Sequence, residues 1–210
     1  AVSVKVAKRL DGEIISADSM QIYKTLDTGT AKATKSEMDG VIHHMIDIVS
    51  PNESYSVAEY SASGKKIIED IFHRGKTPII CGGTGFYINS LIYAKSFGKT
   101  VGSDEVRRKY ENILLEKGNL FLFDLLQEID PETAFKLHPN DTRRVIRALE
   151  IFEATGKKKS EQNDSDTPLY DFDFYCLDTP RELLYQRINH RVDEMLSQGL
   201  LDEVTNLYKT

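Results

Sequence analysis

In the stretch Gly12-Glu-Ile-Ile-Ser-Ala-Asp-Ser-Met-Gln-Ile-Tyr23, the short apolar run Ile14-Ile15 predicts a buried strand that ends just before Asp18. Ligands in open α/β sheets bind in the crevice beyond the carboxyl ends of the strands. A carboxylate at that place can accept a proton during a reaction. Asp and Ser after a strand are also ordinary turn and cap residues, so a turn role for Asp18 stays open at this point.

Strands and helices alternate on both sides of this stretch. The capping-box pairs Ser56 with Glu59 and Thr179 with Glu182 each predict the start of a helix. The remaining periodic segments predict helices over residues 1–10 and 86–93 and strands over residues 41–49, 77–81 and 172–177. Alternation of this kind predicts an α/β fold with a mainly parallel sheet flanked by helices.

The region between the third and fourth predicted strands breaks the alternation. Its pattern predicts helices over residues 104–116, 120–127, 131–137 and 141–155, followed by a polar loop over residues 157–166. We therefore predict a discontinuous α/β core, residues 1–98 with 172–210, that is interrupted by an all-helical insertion, residues 99–171.

Composition restricts the possible partners. The formal net charge is −6, so a nucleic-acid partner would require a local concentration of basic residues. No apolar run approaches the roughly 18 residues that cross a bilayer, and no signal-peptide pattern opens the chain, so we expect a cytoplasmic protein. Cys81 and Cys176 lie in apolar runs and are expected to be buried, and a metal site at His43-His44 is not favoured.

A glycine-rich turn, Gly82-Gly-Thr-Gly85, follows the strand predicted at residues 77–81. Glycines allow a ligand to approach the backbone closely, and the amino end of the following helix attracts anions. Thr84 adds a hydroxyl group. Glycine is also required in tight strand-to-helix turns for steric reasons alone, so the pattern gains weight mainly because Asp18 ends a strand on the same side of the sheet.

Basic residues cluster in two predicted helices. Arg143, Arg144 and Arg147 lie in the first two turns of the helix at residues 141–155, where cations oppose the helix dipole and a bound polyanion would explain them. Pairing with nearby acids is the alternative. Arg187 and Arg191 share one face of the last helix and could hold a diphosphate by bidentate bonds. Alternatively, Arg187 could pair with Asp193 or Glu194 on the surface.

Aromatic and amide side chains near the glycine-rich turn and Asp18 have two readings each. The aromatic residues could stack on a base or line an apolar pocket, or they could belong to the core. They are Tyr23, Tyr55, Tyr60, Phe86 and Tyr87. Gln21 could bind a base edge or lie on the surface.

Taken together, the motifs resemble a known family, the tRNA dimethylallyltransferases, also called tRNA isopentenyltransferases. The resemblance covers nearly the whole chain and is carried in order by residues 13–23, 27–32 (Asp-Thr-Gly-Thr-Ala-Lys), 43–47 (His-His-Met-Ile-Asp), 82–87, 138–150 and 187–196. It implies a fold related to the P-loop kinases, with a helical insertion that contacts the tRNA anticodon arm. It also implies transfer of a dimethylallyl group from dimethylallyl diphosphate to the N6 amine of the adenosine 3′-adjacent to the anticodon.

The same resemblance implies roles for individual residues. Asp18 would be the general base, with Thr84 also catalytic. The residues that would contact tRNA are Asp18, Ser19, Met20, Gln21, Thr84, Arg107, Arg143, Arg144, Val145, Ile146 and Arg147. Gly83, Arg187 and Arg191 would bind the diphosphate, which Mg²⁺ would accompany. We expect a monomer.

One departure from the family pattern keeps other hypotheses open. The family carries a P-loop, Gly-x-x-x-x-Gly-Lys-Thr or Ser, just before the helix at residues 1–10, and a further helical segment after Tyr208. Neither is in this sequence, so we expect either truncation or omitted residues. The alternatives are a non-catalytic tRNA-binding remnant and a small-molecule phosphotransferase of the same fold class. The arginine-rich insertion argues against the phosphotransferase.

Overall fold

The computed structural model describes residues 2–94, 104–161 and 167–209. The chain forms two compact units, Ala1–Tyr93 with Pro168–Thr210 and Ala94–Thr167. The sequence had placed the corresponding boundaries after residues 98 and 171. Part of the predicted loop at residues 157–166 lies outside the described residues, while Lys159–Glu161 form a short 3₁₀ turn.

The first unit is built on a parallel sheet of three strands, β1 (Gly12–Ser16), β2 (His43–His44) and β3 (Thr77–Cys81), in the order β2-β1-β3. Ile15 of β1 lies opposite Ile80 of β3, and the carboxyl ends of both strands therefore meet at one edge. The predicted α/β class with a parallel sheet is confirmed.

The helices of the first unit are α1 (Val2–Arg9), α2 (Lys35–Met38), α3 (Val57–His73), α4 (Gly85–Ile92), α8 (Arg181–Ser197) and α9 (Leu200–Lys209). The Ser56 capping box predicted for α3 is confirmed, because the Ser56 hydroxyl accepts from the Glu59 amide and the Glu59 carboxylate accepts from the Ser56 amide. A second capping box, formed by Thr34 and Glu37, starts α2 and was not predicted. The α3 and α4 side chains Tyr60, Ile68 and Leu91 are buried with Ile15 in the core.

The second unit is helical, as predicted, with α5 (Asp104–Ile129), α6 (Pro131–Phe135) and α7 (Thr142–Thr155). The two helices predicted at residues 104–116 and 120–127 are both present within α5 and meet at a kink at Gly118, whose φ of 83° is readily reached only by glycine. Leu122 and Leu126 of α5 pack with Val145 and Leu149 of α7 in a separate core.

Two predicted strands differ from the structure. The strand expected at residues 41–49 is reduced to His43–His44, because Met45 and Asp47 adopt positive φ angles of 62° and 56° that interrupt an extended backbone. The strand expected at residues 172–177 is wrong: these residues form no strand, and Tyr175 and Leu177 are exposed. The apolar run had indicated a strand, but it has no ladder partner among the described residues.

The start of α8 and the cysteines also differ from expectation. Pro180 occupies the N-cap of α8 without a side-chain cap bond, so the capping box of Thr179 and Glu182 is wrong. Cys81 and Cys176 are free and exposed, not buried. Over the residues that are described, neither unit has a helix with both the length and the apolar character needed to cross a membrane.

Candidate active site and basic surface

Asp18 follows β1 and uses its two carboxylate oxygens differently. Oδ1 accepts hydrogen bonds from the amides of Met20 at 2.8 Å and Gln21 at 3.3 Å, which closes a tight turn. Among the bonds of the described residues, Oδ2 has no partner. The turn role of Asp18 is therefore confirmed for Oδ1, while Oδ2 is left without a partner and its role as a base stays a prediction.

The glycine-rich turn lies directly against the Asp18 turn. The Ala17 amide donates to the Cys81 carbonyl at 2.8 Å, and the Thr84 amide donates back to the Ala17 carbonyl at 3.0 Å. A Cβ atom at Gly82 would lie 2.8 Å from Ala17 Cα and closer still to its carbonyl group. Only glycine therefore allows this approach, which brings Asp18 and Thr84 together at the carboxyl ends of β1 and β3.

The Thr84 hydroxyl belongs to this junction and not to the start of its own helix. Thr84 is the N-cap of α4, but its side chain makes no cap bond. It accepts instead from the Ser19 amide at 3.1 Å and lies 3.4 Å from the Ser19 hydroxyl. The neighbouring Gly83 is open, since an added Cβ there would meet no atom within 4 Å. The backbone at Gly83 is therefore accessible to a ligand.

Gln21 is held by one side chain and one backbone carbonyl and is not free on the surface. Its Oε1 accepts from the Ser16 hydroxyl at 3.2 Å, and its Nε2 donates to the Thr30 carbonyl at 3.1 Å. These bonds fix the orientation of the amide and leave it capacity for a further donor and acceptor bond.

The aromatic side chains mostly belong to the core. The rings of Tyr60 and Tyr87 stack with centroids 3.8 Å apart, and the Tyr60 hydroxyl donates to the Ser16 carbonyl at 2.8 Å. Burial raises the pKa of Tyr60. Tyr23 and Tyr55 pack half-buried against the same core. Phe86, 61% exposed, is the member of the predicted pocket that faces outward.

A loop after Asp18 is held by a buried lysine that the sequence reading did not identify. Lys32 Nζ donates to Asp27 Oδ1 at 2.7 Å, to Asp47 Oδ1 at 2.6 Å and to the Tyr23 carbonyl at 2.9 Å. Although burial opposes its charge, the bonds to Asp27 and Asp47 raise the pKa of Lys32. The family motif Asp27 to Lys32 thus stabilises its own loop.

The two arginines predicted for the diphosphate lie on α8 of the same unit. Arg191 Nη2 lies 3.5 Å from the Thr30 carbonyl oxygen, at the limit of a hydrogen bond. Arg187 is exposed and, within the described residues, forms no ion pair or hydrogen bond. Arg187 does not pair with Glu194 among the described residues. The Oε1 atom of Glu194 lies instead 3.3 Å from His190 Nε2.

The opposite end of β1 carries a buried ion network. Glu13 is 1% exposed and accepts from the Arg74 guanidinium and from His44 Nε2 at 2.8 Å, while Lys76 Nζ lies 3.5 Å away. Bonding to Arg74 outweighs the burial that opposes ionisation and, with His44, lowers the pKa of Glu13 to about 2. The network joins β1, β2 and the end of α3, far along the strand from Asp18.

The helical unit has a basic surface organised by one buried acid. Glu150, which is 2% exposed, accepts from Arg107 Nε at 2.8 Å and from Arg147 Nη1 at 3.1 Å. Arg143 and Arg144 are exposed, and Arg144 lies 3.9 Å from Asp141. Pairing with acids, the alternative considered for Arg143, Arg144 and Arg147, thus applies to Arg147 with Glu150 and, at 3.9 Å, to Arg144 with Asp141.

Two residues predicted to contact tRNA point away from this surface. The side chains of Val145 and Ile146 are buried in the core of the helical unit, so they are not available to a ligand. Helical periodicity explains the difference: Val145 and Ile146 fall with Leu149 on the face of α7 that packs into the core, whereas Arg143 and Arg144 fall on its exposed face.

The amino end of α7 is not capped by a side chain. Asp141 occupies the N-cap but makes no cap bond, and Asn140 Oδ1 accepts from Asn119 Nδ2 at 2.7 Å. The residues Asn140 to Arg144 line a depression of about 420 Å³.

A metal cage is not found in the part of the chain that the structure describes, where no group of three or more His, Cys, Asp or Glu side chains could hold an ion. Mg²⁺ commonly keeps several waters and binds through one or two carboxylates together with substrate phosphates. The site therefore fits Mg²⁺ only as a companion of a phosphate-bearing substrate.

Comparison with known proteins gives consistent results. The family model described as IPP transferase matches residues 21–210. The chain is 53% identical to the tRNA dimethylallyltransferase of Caldanaerobacter subterraneus subsp. tengcongensis, covering 99% of this chain and 68% of that protein. It is 52% identical to the enzyme of the same name from Bacillus cereus strain ATCC 14579, covering 99% of this chain and 66% of that protein.

Solved structures give the same family. The full-length tRNA isopentenylpyrophosphate transferase of Bacillus halodurans matches with a TM-score of 0.66 and 44% identity, covering 99% of this chain and 65% of that one. A eukaryotic dimethylallyltransferase acting on tRNA matches with a TM-score of 0.86 and 37% identity, covering 99% of this chain and 52% of that one. The chain spans about two thirds of the length of the curated relatives it matches.

Proposed function

Because this chain belongs to the IPP transferase family, we propose that it transfers a dimethylallyl group from dimethylallyl diphosphate to the N6 amine of the adenosine 3′-adjacent to the anticodon in tRNA. The observation that carries the proposal is the unpartnered Oδ2 of Asp18, held beside Thr84 and the open backbone of Gly83. The curated relatives named tRNA dimethylallyltransferase support the same reaction.

Asp18 acts as the general base. The N6 nitrogen attacks the allylic C1 carbon, the C1–O bond breaks, and diphosphate leaves with the bonding electrons. The proton lost from N6 passes to Asp18 Oδ2, while the amides of Met20 and Gln21 keep Oδ1 in place. The adenosine must leave its stack to reach this carboxylate. Ser19, Met20, Gln21 and Thr84 line the place where it would enter.

Diphosphate departure requires positive charge on its oxygens. Gly83 offers open backbone, and Arg187 and Arg191 lie four residues apart on one face of α8. Guanidinium groups bind phosphate oxygens by paired, charge-assisted bonds and stabilise the developing charge. Mg²⁺ would accompany the diphosphate and, when bound, would neutralise part of the leaving-group charge.

The helical unit binds tRNA through its exposed arginines. Arg143 and Arg144 are exposed beside the depression at the start of α7, and Arg107 and Arg147 are oriented by Glu150. Phosphate contacts of this kind position a nucleic acid without reading its sequence. Because the net charge of the chain is −6, a nucleic-acid partner requires basic residues to be concentrated locally, and these arginines meet that requirement.

The test is transfer of labelled dimethylallyl diphosphate to tRNA by the full-length protein. We expect label in the tRNA at the adenosine next to the anticodon, and none with a tRNA that carries guanosine there. Failure to label any tRNA would contradict prenyl transfer. Tight tRNA binding without labelling would instead indicate a tRNA-binding protein. Transfer of phosphate to a nucleotide, with no dimethylallyl label entering the tRNA, would indicate a phosphotransferase.

Two further properties belong to the proposal. We place the protein in the cytoplasm, where its tRNA substrate would be found, and as a monomer, because one chain carries both Asp18 and the arginines. Light scattering of the full-length protein with and without tRNA measures the oligomeric state. A stable dimer would contradict the proposed monomer.

A further inference from the structure

A carboxylate near the end of the described chain binds the loop that follows Asp18. Glu203 of α9 accepts from three consecutive amides, those of Asp27 at 2.9 Å, Thr28 at 2.7 Å and Gly29 at 3.0 Å. Oε2 takes the first two bonds and Oε1 takes the third. Successive backbone amides that converge on an anion form a nest, and bonds to a charged acceptor are among the stronger hydrogen bonds.

The charge state of Glu203 agrees with this geometry. Burial and the nearby Asp27 oppose ionisation, but the three amide bonds outweigh them, so the pKa of Glu203 lies below its ordinary value. Gly29 allows the close approach of α9, because an added Cβ would lie 3.1 Å from Leu200 Cδ1 and 3.3 Å from Glu203 Oε1. Two independent features thus hold α9 against this loop.

The loop leads directly to groups of the proposed active site. Thr30 follows Gly29, and its carbonyl accepts from Gln21 Nε2 at 3.1 Å. Arg191 Nη2 lies 3.5 Å from the same carbonyl oxygen. One backbone carbonyl therefore sets the position of a side chain next to Asp18 and of a guanidinium proposed for the diphosphate.

We propose that Glu203 is a positioning residue for the transfer reaction, acting through the loop of residues 27–30 on Arg191 and Gln21. The inference rests on the proposed function, since it concerns how the diphosphate and tRNA are placed. Glu203 itself touches neither substrate. Its negative charge is held by the amide nest, so it does not compete with the diphosphate for Arg191.

The experiment compares Glu203→Gln with Asp202→Asn in the full-length protein. Both substitutions remove one negative charge from α9, but Asp202 is exposed and is not part of the nest. In Glu203→Gln the amide of the new side chain opposes the nest donors, so exchange of the amides of residues 27–29 should accelerate at least about tenfold. Asp202→Asn should leave their exchange unchanged.

Steady-state kinetics separate positioning from simple loss of folded protein. A smaller folded fraction lowers kcat and leaves KM unchanged, whereas a displaced Arg191 raises KM for dimethylallyl diphosphate. We expect this KM to rise about tenfold in Glu203→Gln and to stay within about twofold in Asp202→Asn. A KM in Glu203→Gln equal to that of Asp202→Asn, or unchanged amide exchange, would overturn the proposal.

The same measurements distinguish this failure from failure of the proposed function. If the wild-type protein does not transfer label to tRNA, the proposed function is wrong and the catalytic role of Glu203 with it. If the wild type transfers label and the two variants have the same KM, the function stands and Glu203 is a structural contact only.

Discussion

Asp18 combines a turn contact with the proposed role of base in one side chain, and the two roles can be separated by substitution. In Asp18→Asn the Oδ1 atom can still accept from the amides of Met20 and Gln21, but the side chain no longer accepts a proton. We expect turnover to fall by about a hundredfold or more while tRNA affinity stays close to that of the wild type. Single-turnover transfer and a tRNA-binding titration measure the two.

Asp18→Ala is the matched second variant, because it removes the turn bonds as well. It should lose turnover to a similar extent and also lose some free energy of unfolding, about 1 kcal/mol. An Asp18→Asn enzyme with wild-type turnover would exclude Asp18 as the base.

At the same scale, Glu13 predicts a pH dependence of stability. Its folded pKa of about 2 lies below the ordinary value of 4.5, so its ionised form stabilises the fold above that ordinary value. This contribution is lost as the pH falls from about 4.5 towards 2. Denaturant unfolding over this range should show a smaller pH dependence in Glu13→Gln than in the wild type.

Glu13→Gln should also be less stable at neutral pH, since Arg74 and His44 lose a charged partner. Glu37→Gln is the control, because Glu37 is an exposed residue whose pKa is lowered mainly by its hydrogen bonds to Thr34 in its own capping box. If the free energy of unfolding depends equally on pH in Glu13→Gln and in the wild type, the Glu13 carboxylate is not the source of the dependence.

At the scale of elements, the junction between the ends of β1 and β3 depends on Gly82. Gly82→Ala would place a methyl group against the Ala17 backbone, which cannot move away as a flexible side chain could. We expect a loss of about 1–3 kcal/mol in the free energy of unfolding. Gly83→Ala, where the added methyl group meets open space, should change stability by less than about 0.5 kcal/mol. Chemical denaturation of both variants tests this contrast.

The sequence predicts elements whose signals are local and misses those that depend on distant contacts. The strands β1 and β3 and the helix α3 follow from apolar runs and a capping box, all within a few residues. The strand expected at residues 41–49 fails because the amides of Asp47 and Ile48 donate to the carbonyls of Gln21 and Ile22, which pulls that segment out of the sheet.

The site follows the same division. Asp18 and Thr84 could be found because each follows a predicted strand, and parallel strands end at one edge. Sequence could not predict the roles of Lys32, Glu13 and Glu203. Their partners lie far along the chain, and nothing in the local pattern marks a buried charge. The burial of Val145 and Ile146 depends likewise on how α7 packs against α5.

At the scale of the whole molecule, an acidic protein must hold a polyanion through a local basic surface. Binding through phosphates releases counterions, so affinity falls with salt in proportion to the number of contacts. Arg143→Ala should weaken tRNA binding and reduce the slope of log affinity against log salt by about one. Lys136→Ala, which removes an exposed cation paired with Glu132, should leave the slope unchanged. Titrations at several salt concentrations measure both.

The contact between the Asp18 turn and the glycine-rich turn also bears on the order of events in catalysis. Thr84 binds the backbone at Ala17 and Ser19, and Gly82 leaves no gap between the two turns. The carboxylate proposed to accept the N6 proton is thus held in place by contacts within the protein itself. Little conformational entropy remains to be lost at this point when the adenosine docks, so binding energy from the rest of the tRNA can be used to extract that nucleotide from its stem-loop.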